Sequence, residues 1–325
     1  MSALLHARVV AAIETGHAPE ALFLESFRWQ REQNPLLRRM LTGEPRSVRE
    51  IPAVPVALFK DLDLGPSPAL PTDVVFRTSG TTSSTRGVHR SRDTSLYDLG
   101  ATTHLRRRVP ELPGRVVSLC PSDADSSLGH MVRLLGEPIP CFGDAVDPRT
   151  WALLDEPCFL ACTAFALDAL FATPGQASLD ARSVVMVTGG FKGRQTRLDA
   201  PSLYRAIPAR LGSPRVVGEY GMTELSSQCW TDPVPAGELP RAFVAPPWMR
   251  VYAVDPVTGH PAGGEGVLRF VDLCNLDSVL AIETQDLGTV EPHDEGDRVT
   301  LLGRLEGAEL RGCSLRAERL VDNAR

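Results

Sequence analysis

Apolar residues recur at helical spacing over 3–14 and again over 20–32, which predicts two N-terminal helices, the second opened by Pro19. Pro52, Pro55, Pro66, Pro68 and Pro71 then forbid a long helix. They predict an extended connector that offers Val54, Val56, Leu58 and Phe59 for packing. A more polar helix is expected from Ser95 to Val109, stopped by Pro110 and Pro113. Beyond it the pattern alternates. Short, continuously apolar runs at Arg115–Cys120, Cys158–Thr163, Ser183–Thr188 and Arg215–Gly218 read as buried strands. A capped helix at Asp125–Leu135 and another ending at Phe171 separate the first of them. Such alternation predicts an α/β fold with a parallel sheet, whose strands open at their C-terminal ends into ligand-binding turns.

After Trp248 the pattern changes to strands at Met249–Val254, Gly266–Val271 and Val299–Leu302, joined by Gly, Pro and Asp turns, which reads as antiparallel β. The expected organisation is a helical segment and connector over 1–72, an α/β core over 73–247, a β-rich portion of the same domain over 248–303 and a short C-terminal segment over 304–325. Neither an internal repeat nor a low-complexity tract interrupts it.

Composition narrows the class. The chain of 325 residues is 43% hydrophobic and 23% charged, ordinary for a globular enzyme, and its net charge of −6 gives nucleic acid or an anionic membrane nothing to bind. All but two of its 34 Lys and Arg residues are arginine, so any role that needs a lysine falls to Lys60 or Lys192. Seven scattered cysteines make no disulfide framework, and Cys158 and Cys162 lie in an apolar run that reads as core. A reducing, cytoplasmic setting is expected, without membrane insertion.

Five patches carry candidate chemistry. The first is Thr78-Ser79-Gly80-Thr81-Thr82-Ser83-Ser84-Thr85-Arg86-Gly87, where small residues let backbone N–H groups cradle an anion and Arg86 adds charge. A solvated hairpin loop has the same composition. The second is Glu219-Tyr220-Gly221-Met222-Thr223-Glu224: a flat ring for a purine, a hydroxyl for a phosphate and a hard oxygen for Mg²⁺, or a turn with a helix cap at Thr223. The third, Thr188-Gly189-Gly190-Phe191-Lys192, combines close backbone approach with a rare lysine. In the fourth, Asp286 offers two acceptor oxygens to ribose hydroxyls, or belongs to a hairpin turn. The fifth is Leu302–Leu315, where Cys313 stands between Gly312 and Ser314 with Arg311 and Arg316 nearby, a setting for a reactive thiol or for an inert one.

Together and in this order the patches resemble those of the adenylate-forming superfamily of acyl-CoA synthetases, peptide-synthetase adenylation domains and firefly luciferase. Thr78–Gly87 looks like its phosphate loop, with Ser83 for the usual Gly and Arg86 for the usual Lys; Tyr220–Glu224 matches its motif fully; Asp286 looks like the ribose Asp and Gly303-Arg304 like the hinge. A closer resemblance is to the acyl-protein synthetase (LuxE-type) family of the bacterial bioluminescence fatty-acid reductase complex. It rests on Ile51–Lys60, Ser126–Met131, Thr188–Lys192 and Glu309–Leu315.

The resemblance implies the N-terminal-domain fold of that superfamily, with the usual mobile C-terminal domain and its catalytic lysine largely absent. It implies ATP and Mg²⁺, and activation of a fatty or other apolar carboxylic acid as an acyl-adenylate. Thr78, Ser79, Gly80, Thr81, Thr82, Arg86 and Gly87 would hold phosphates; Gly189, Gly190, Glu219, Tyr220, Gly221, Thr223, Asp286 and Arg304 would complete the nucleotide site. Glu224 would hold the metal, Lys192 would replace the missing lysine, His130 would border the acyl pocket and Cys313 would take the acyl group. An acyl-carrier protein or an acyl-accepting reductase is the implied partner. Two alternatives stay open: direct loading of a carrier-protein or CoA thiol, and a nucleotide-binding scaffold without turnover.

Overall fold

The computed structural model describes residues 2–78, 86–140, 147–189 and 197–305. Of the expected site residues, Ser79, Gly80, Thr81, Thr82, Gly190, Lys192 and Cys313 lie outside them. The chain divides into two compact units, one of 104–221 with 229–243, the other of 1–103, 222–228 and 244–325. No helix among the described residues is long and apolar enough to cross a membrane.

The 104–221 unit is the α/β half. Its strands run in the order Ile139–Pro140, Val116–Leu119, Phe159–Thr163, Val184–Thr188, Arg215–Tyr220, all parallel. Cys229–Thr231 and Val234–Pro235 add antiparallel pairings to the last. Helices Ser127–Leu134, Ala164–Ala172 and Ala200–Leu211 make the crossovers. Each carries a side-chain cap: Ser126, Thr163 and Asp199 accept from backbone N–H groups of the first turn. Leu160, Cys162, Leu167, Val185, Leu203 and Ile207 fill the core. Every residue of Val184–Thr188 is buried, as befits a strand covered on both faces. Cys158 and Cys162 are fully buried, as their apolar setting predicted.

The other unit begins with helices Ser2–Thr15, Glu20–Gln33 and Pro35–Met40; Asn34 caps the third, accepting from Leu36 N at 2.9 Å, with Pro35 inside the first turn. Its sheet is an antiparallel meander of Met249–Val254, Gly266–Asp272, Ala281–Glu291 and Arg298–Arg304. Val54–Pro55 pairs parallel with the third strand, Val54 opposite Ile282. The connector is therefore extended only there. It then tightens into a 3₁₀ turn, Val56–Lys60, which buries Leu58 and Phe59 and leaves Lys60 exposed at its end. A separate hairpin, Val74–Arg77 with Val88–Ser91, places Phe76 opposite His89 and carries the loop 78–87 at its tip.

Candidate functional site

The hairpin is fastened on both faces. On one, the Arg90 guanidinium, its side chain 9% exposed, binds both oxygens of Asp63 and also pairs with Asp73, which takes Arg92 as well. Burial would raise the Asp73 carboxyl, but the Leu70 N–H, Arg92 and Arg90 outweigh it and hold the group below its ordinary range. On the other face, His89 Nδ1–H donates to the Thr223 carbonyl at 2.6 Å. A carbonyl only accepts, so this bond fixes the tautomer and leaves the lone pair on Nε2. Burial pushes the imidazole down to about 4, against the opposing pull of that hydrogen bond, so it is neutral at physiological pH.

At the tip, Thr78 and Gly87 close the loop's mouth: Thr78 N donates to Gly87 O at 3.0 Å and Gly87 N to Thr78 Oγ1 at 2.8 Å. Arg86 turns back on the hairpin, donating to Thr78 O at 2.5 Å and to Arg77 O at 3.1 Å. Its guanidinium thus braces the loop mouth, a role its sequence position did not suggest. Gly87 is tightly placed. A Cβ on it would stand 3.1 Å from Thr78 Cγ2 and 3.5 Å from Glu224 Oε1. The carboxylate of Glu224 therefore lies against the mouth of the candidate phosphate loop.

That carboxylate is held by a clamped backbone. Asn275 Nδ2 donates to Glu224 O at 2.9 Å, and its Oδ1 accepts from Ser226 N at 2.8 Å. Asp272 accepts from Ser227 N and Ser227 Oγ, each at 2.8 Å. With His89 on Thr223, the segment 222–228 is gripped from both sides. No helix follows Thr223, so the helix-cap alternative for this motif falls. Glu224 is 8% exposed, and burial raises its carboxyl to about 7; its own backbone N–H and the positive charges of Lys60 and Arg304 pull the other way. Lys60 was quoted only as part of a family-like stretch; its place beside Glu224 comes from the 3₁₀ turn, which no local signal announced.

Asp286 lies inside the eleven-residue strand Ala281–Glu291, not at a strand end and not in a hairpin turn. It stands opposite Arg304 in the register, with Arg304 Nε 4.0 Å from Asp286 Oδ1 and Arg304 Nη2 donating to Gln285 Oε1 at 3.0 Å. Its side chain is 13% exposed. The pairing brings the expected ribose Asp and hinge Arg into one ladder.

In the α/β unit, adjacent parallel strands bring Thr188 and Glu219 side by side. Thr188 Oγ1 donates to Glu219 Oε2, and Glu219 is raised to about 7 by burial, which that bond only partly offsets. Arg215–Tyr220 runs two residues beyond the expected strand, so Glu219 and Tyr220 are ladder residues opposite Trp230 and Cys229. The Tyr220 ring is buried, its centroid 6.1 Å from that of Phe243. Gly189 follows at φ +73°, and a Cβ there would meet nothing within 4 Å, so a backbone conformation that needs glycine opens onto space. Gly221 ends this unit's share of the motif. His130 is on the helix Ser127–Leu134, half-buried.

Comparison with solved structures finds ATP-bound MatB from Rhodopseudomonas palustris at a TM-score of 0.51 and 20% identity, over 71% of this chain and 47% of that one. An ATP-bound RpMatB-BxBclM chimera, B3, lies at 0.50 and 20%, over the same shares of each chain. At that identity the likeness is one of fold: the mixed α/β N-terminal domain of adenylate-forming enzymes. The chain spans about half the length of these structures. No protein-family model matches it, and no curated protein does.

Proposed function

We propose that this chain uses ATP to activate a carboxylic acid as its acyl-adenylate and passes the acyl group to a thiol. The observation that carries this reading is Glu224: a clamped, buried carboxylate against Gly87 at the mouth of a Ser/Thr/Gly loop, with the charges of Lys60 and Arg304 reaching it. The fold shared with ATP-bound structures supports it.

In the first step an oxygen of the acid attacks the α-phosphorus of ATP. The bond to the bridging oxygen breaks, and pyrophosphate leaves with the electron pair. Such a reaction asks the protein mainly to align two anions and neutralise growing charge. Thr78, Ser79, Gly80, Thr81 and Thr82 hold the β- and γ-phosphates, and Arg86 keeps N–H groups for them beyond the two it spends on the hairpin. Tyr220 stands against the adenine, Asp286 accepts from the ribose hydroxyls, and Lys192 takes the acid and α-phosphate.

Glu224 fits Mg²⁺, which takes one or two carboxylates and otherwise keeps water and substrate phosphates; no group of three His, Cys, Asp or Glu side chains among the described residues offers a larger cage. The ion would supply charge neutralisation on the phosphates. In the second step the Cys313 thiolate attacks the carbonyl carbon and AMP leaves, giving a thioester as in an acyl-protein synthetase. The acid is fatty or otherwise apolar, with His130 at its pocket, and a carrier protein or reductase in the cytoplasm accepts the acyl group.

Acid-dependent exchange of labelled pyrophosphate into ATP, across a panel of fatty and aromatic acids, tests the first step; no exchange with any of them overturns it. Lys192→Ala should abolish exchange. Cys313→Ala should keep exchange and lose covalent acyl label, while label surviving that change moves the thiol to another residue or to a carrier.

A further inference from the structure

A second cavity lies wholly within the 1–103, 222–228 and 244–325 unit, away from the loop mouth and on the other side of His89. It measures about 350 Å³, within the range of small-molecule pockets. The N-terminal helices, the hairpin face bearing Phe76, His89 and Ser91, the start of the Ser95–Arg108 helix and the stretch 274–277 enclose it. Nothing in the adenylation reading uses it.

Its chemistry is one-sided. Trp29, Phe76 and Tyr97 give it aromatic walls. Two carboxylates, Asp93 and Asp277, share the lining, and burial together with the Asp93 charge raises Asp277 above its ordinary value, offset in part by the Arg92 N–H, His6 and the Arg92 charge. The Arg92 guanidinium is committed elsewhere, to Asp73 at 2.8 Å and to Pro68 O at 2.9 Å. His6 meets Ser95 Oγ at 3.4 Å. The decisive feature is His89. It is 4% exposed, its Nδ1–H is spent on Thr223, and its Nε2 has no hydrogen-bond partner. A neutral imidazole nitrogen and two carboxylates are all acceptors.

We propose that this cavity is a binding site for a small organic ammonium, a donor-only head held by Asp277, Asp93 and His89 Nε2 with its apolar body between Trp29, Phe76 and Tyr97. An ammonium brings several N–H donors and no acceptor, matching an acceptor-only lining, and aromatic faces attract cations where water is excluded. Thr223 belongs to the candidate nucleotide motif, so an occupant of this site touches the residue that fixes that motif's backbone. The site is independent of adenylation and is read without ATP or acid.

The probe is phenethylamine, titrated calorimetrically into the full chain beside 2-phenylethanol and 3-phenylpropionate, which keep the ring and change the head. The amine should saturate one site and bind at least about tenfold more tightly than the alcohol, the equivalent of about 1.4 kcal/mol; the acid should not bind. Asp277→Asn keeps an oxygen for the Arg92 N–H and should weaken the amine about tenfold, with circular dichroism unchanged. Trp29 fluorescence should respond to the amine, and Trp29→Phe should remove that response. Equal affinity for amine and alcohol, an unchanged affinity in Asp277→Asn, or no saturable amine binding at millimolar concentration would overturn the proposal. Should Asp277→Asn unfold, Asp93→Asn gives the same comparison.

Discussion

Glu219 and Glu224 sit in one short motif, are almost equally buried, and are both raised to about 7 by burial, yet they are placed for opposite work. Glu219 is a ladder residue whose side chain is met by the Thr188 hydroxyl, with no cation among the influences on it. Glu224 is on a clamped turn, and two cations, Lys60 and Arg304, act on it. A buried carboxyl with only a hydroxyl for company is most stable protonated; one that cations reach is poised to ionise when a ligand brings more positive charge. The difference teaches that raised acidity alone does not find the working residue. What lies within reach of the carboxylate does.

The largest expected effect follows. Glu224→Gln keeps the shape and removes the charge, and should lower acid-dependent pyrophosphate exchange by roughly 10²–10³-fold, the scale of losing one preorganised electrostatic contact. Glu219→Gln should cost less than about tenfold on that scale. Equal losses in the two variants would erase the distinction between them.

Stability should reverse the order. Glu219 is raised from 4.5 to about 7 in the folded chain, so between those values the native state holds a proton that the unfolded chain has released. Stability from this group is complete below the unfolded value, falls as pH rises through the window and reaches its full penalty above 7. Glu219→Gln cannot ionise and should match the parent near pH 4 but exceed it by up to roughly 3 kcal/mol near pH 8. Urea unfolding at the two pH values checks this; an advantage independent of pH would mean the Thr188 bond, not ionisation, sets the cost.

Gly87→Ala sharpens the comparison from the loop's side. Its Cβ would press on Thr78 at 3.1 Å and on the Glu224 carboxylate at 3.5 Å, while nothing in the Glu219 region would feel it. A few tenths of an ångström must be absorbed at the loop mouth, so KM for ATP should rise about tenfold with a stability loss near 1 kcal/mol. Unchanged KM would separate Glu224 from the loop.

How much of this the sequence disclosed depends on how local the cause is. Val184–Thr188 was legible because a strand covered on both faces is continuously apolar. Ala281–Glu291 was not, because its polar residues are satisfied by partners far along the chain: Glu283 by Arg269 at 2.9 Å, Thr284 by Leu268 O at 2.9 Å. Only Asp286 was noticed there, and its neighbours looked like a turn. The motif Tyr220–Glu224 was legible by type, but the bond that fixes it joins His89 to Thr223 across 134 positions and has no local signature. The same is true of Arg86, read as a phosphate ligand and found bracing its own hairpin.

Lys60 gives the smallest and most discriminating test. It is exposed, so water and salt screen its charge at Glu224, and exposed pairs contribute little. Lys60→Ala should raise KM for ATP only about threefold at low ionic strength, with kcat held, since a diffuse charge acts on binding more than on the reacting atoms. Raising the salt should shrink the gap between variant and parent, because screening already removes in the parent what the mutation removes in the variant. Lys60→Arg should restore the parent value. Glu219 has no such cation, so the same series carried out on Thr188→Ala, which removes its only side-chain partner, should show no salt dependence. A salt-independent loss in Lys60→Ala would mean a direct contact with the phosphates, and would make Lys60, not Lys192, the lysine that takes the α-phosphate.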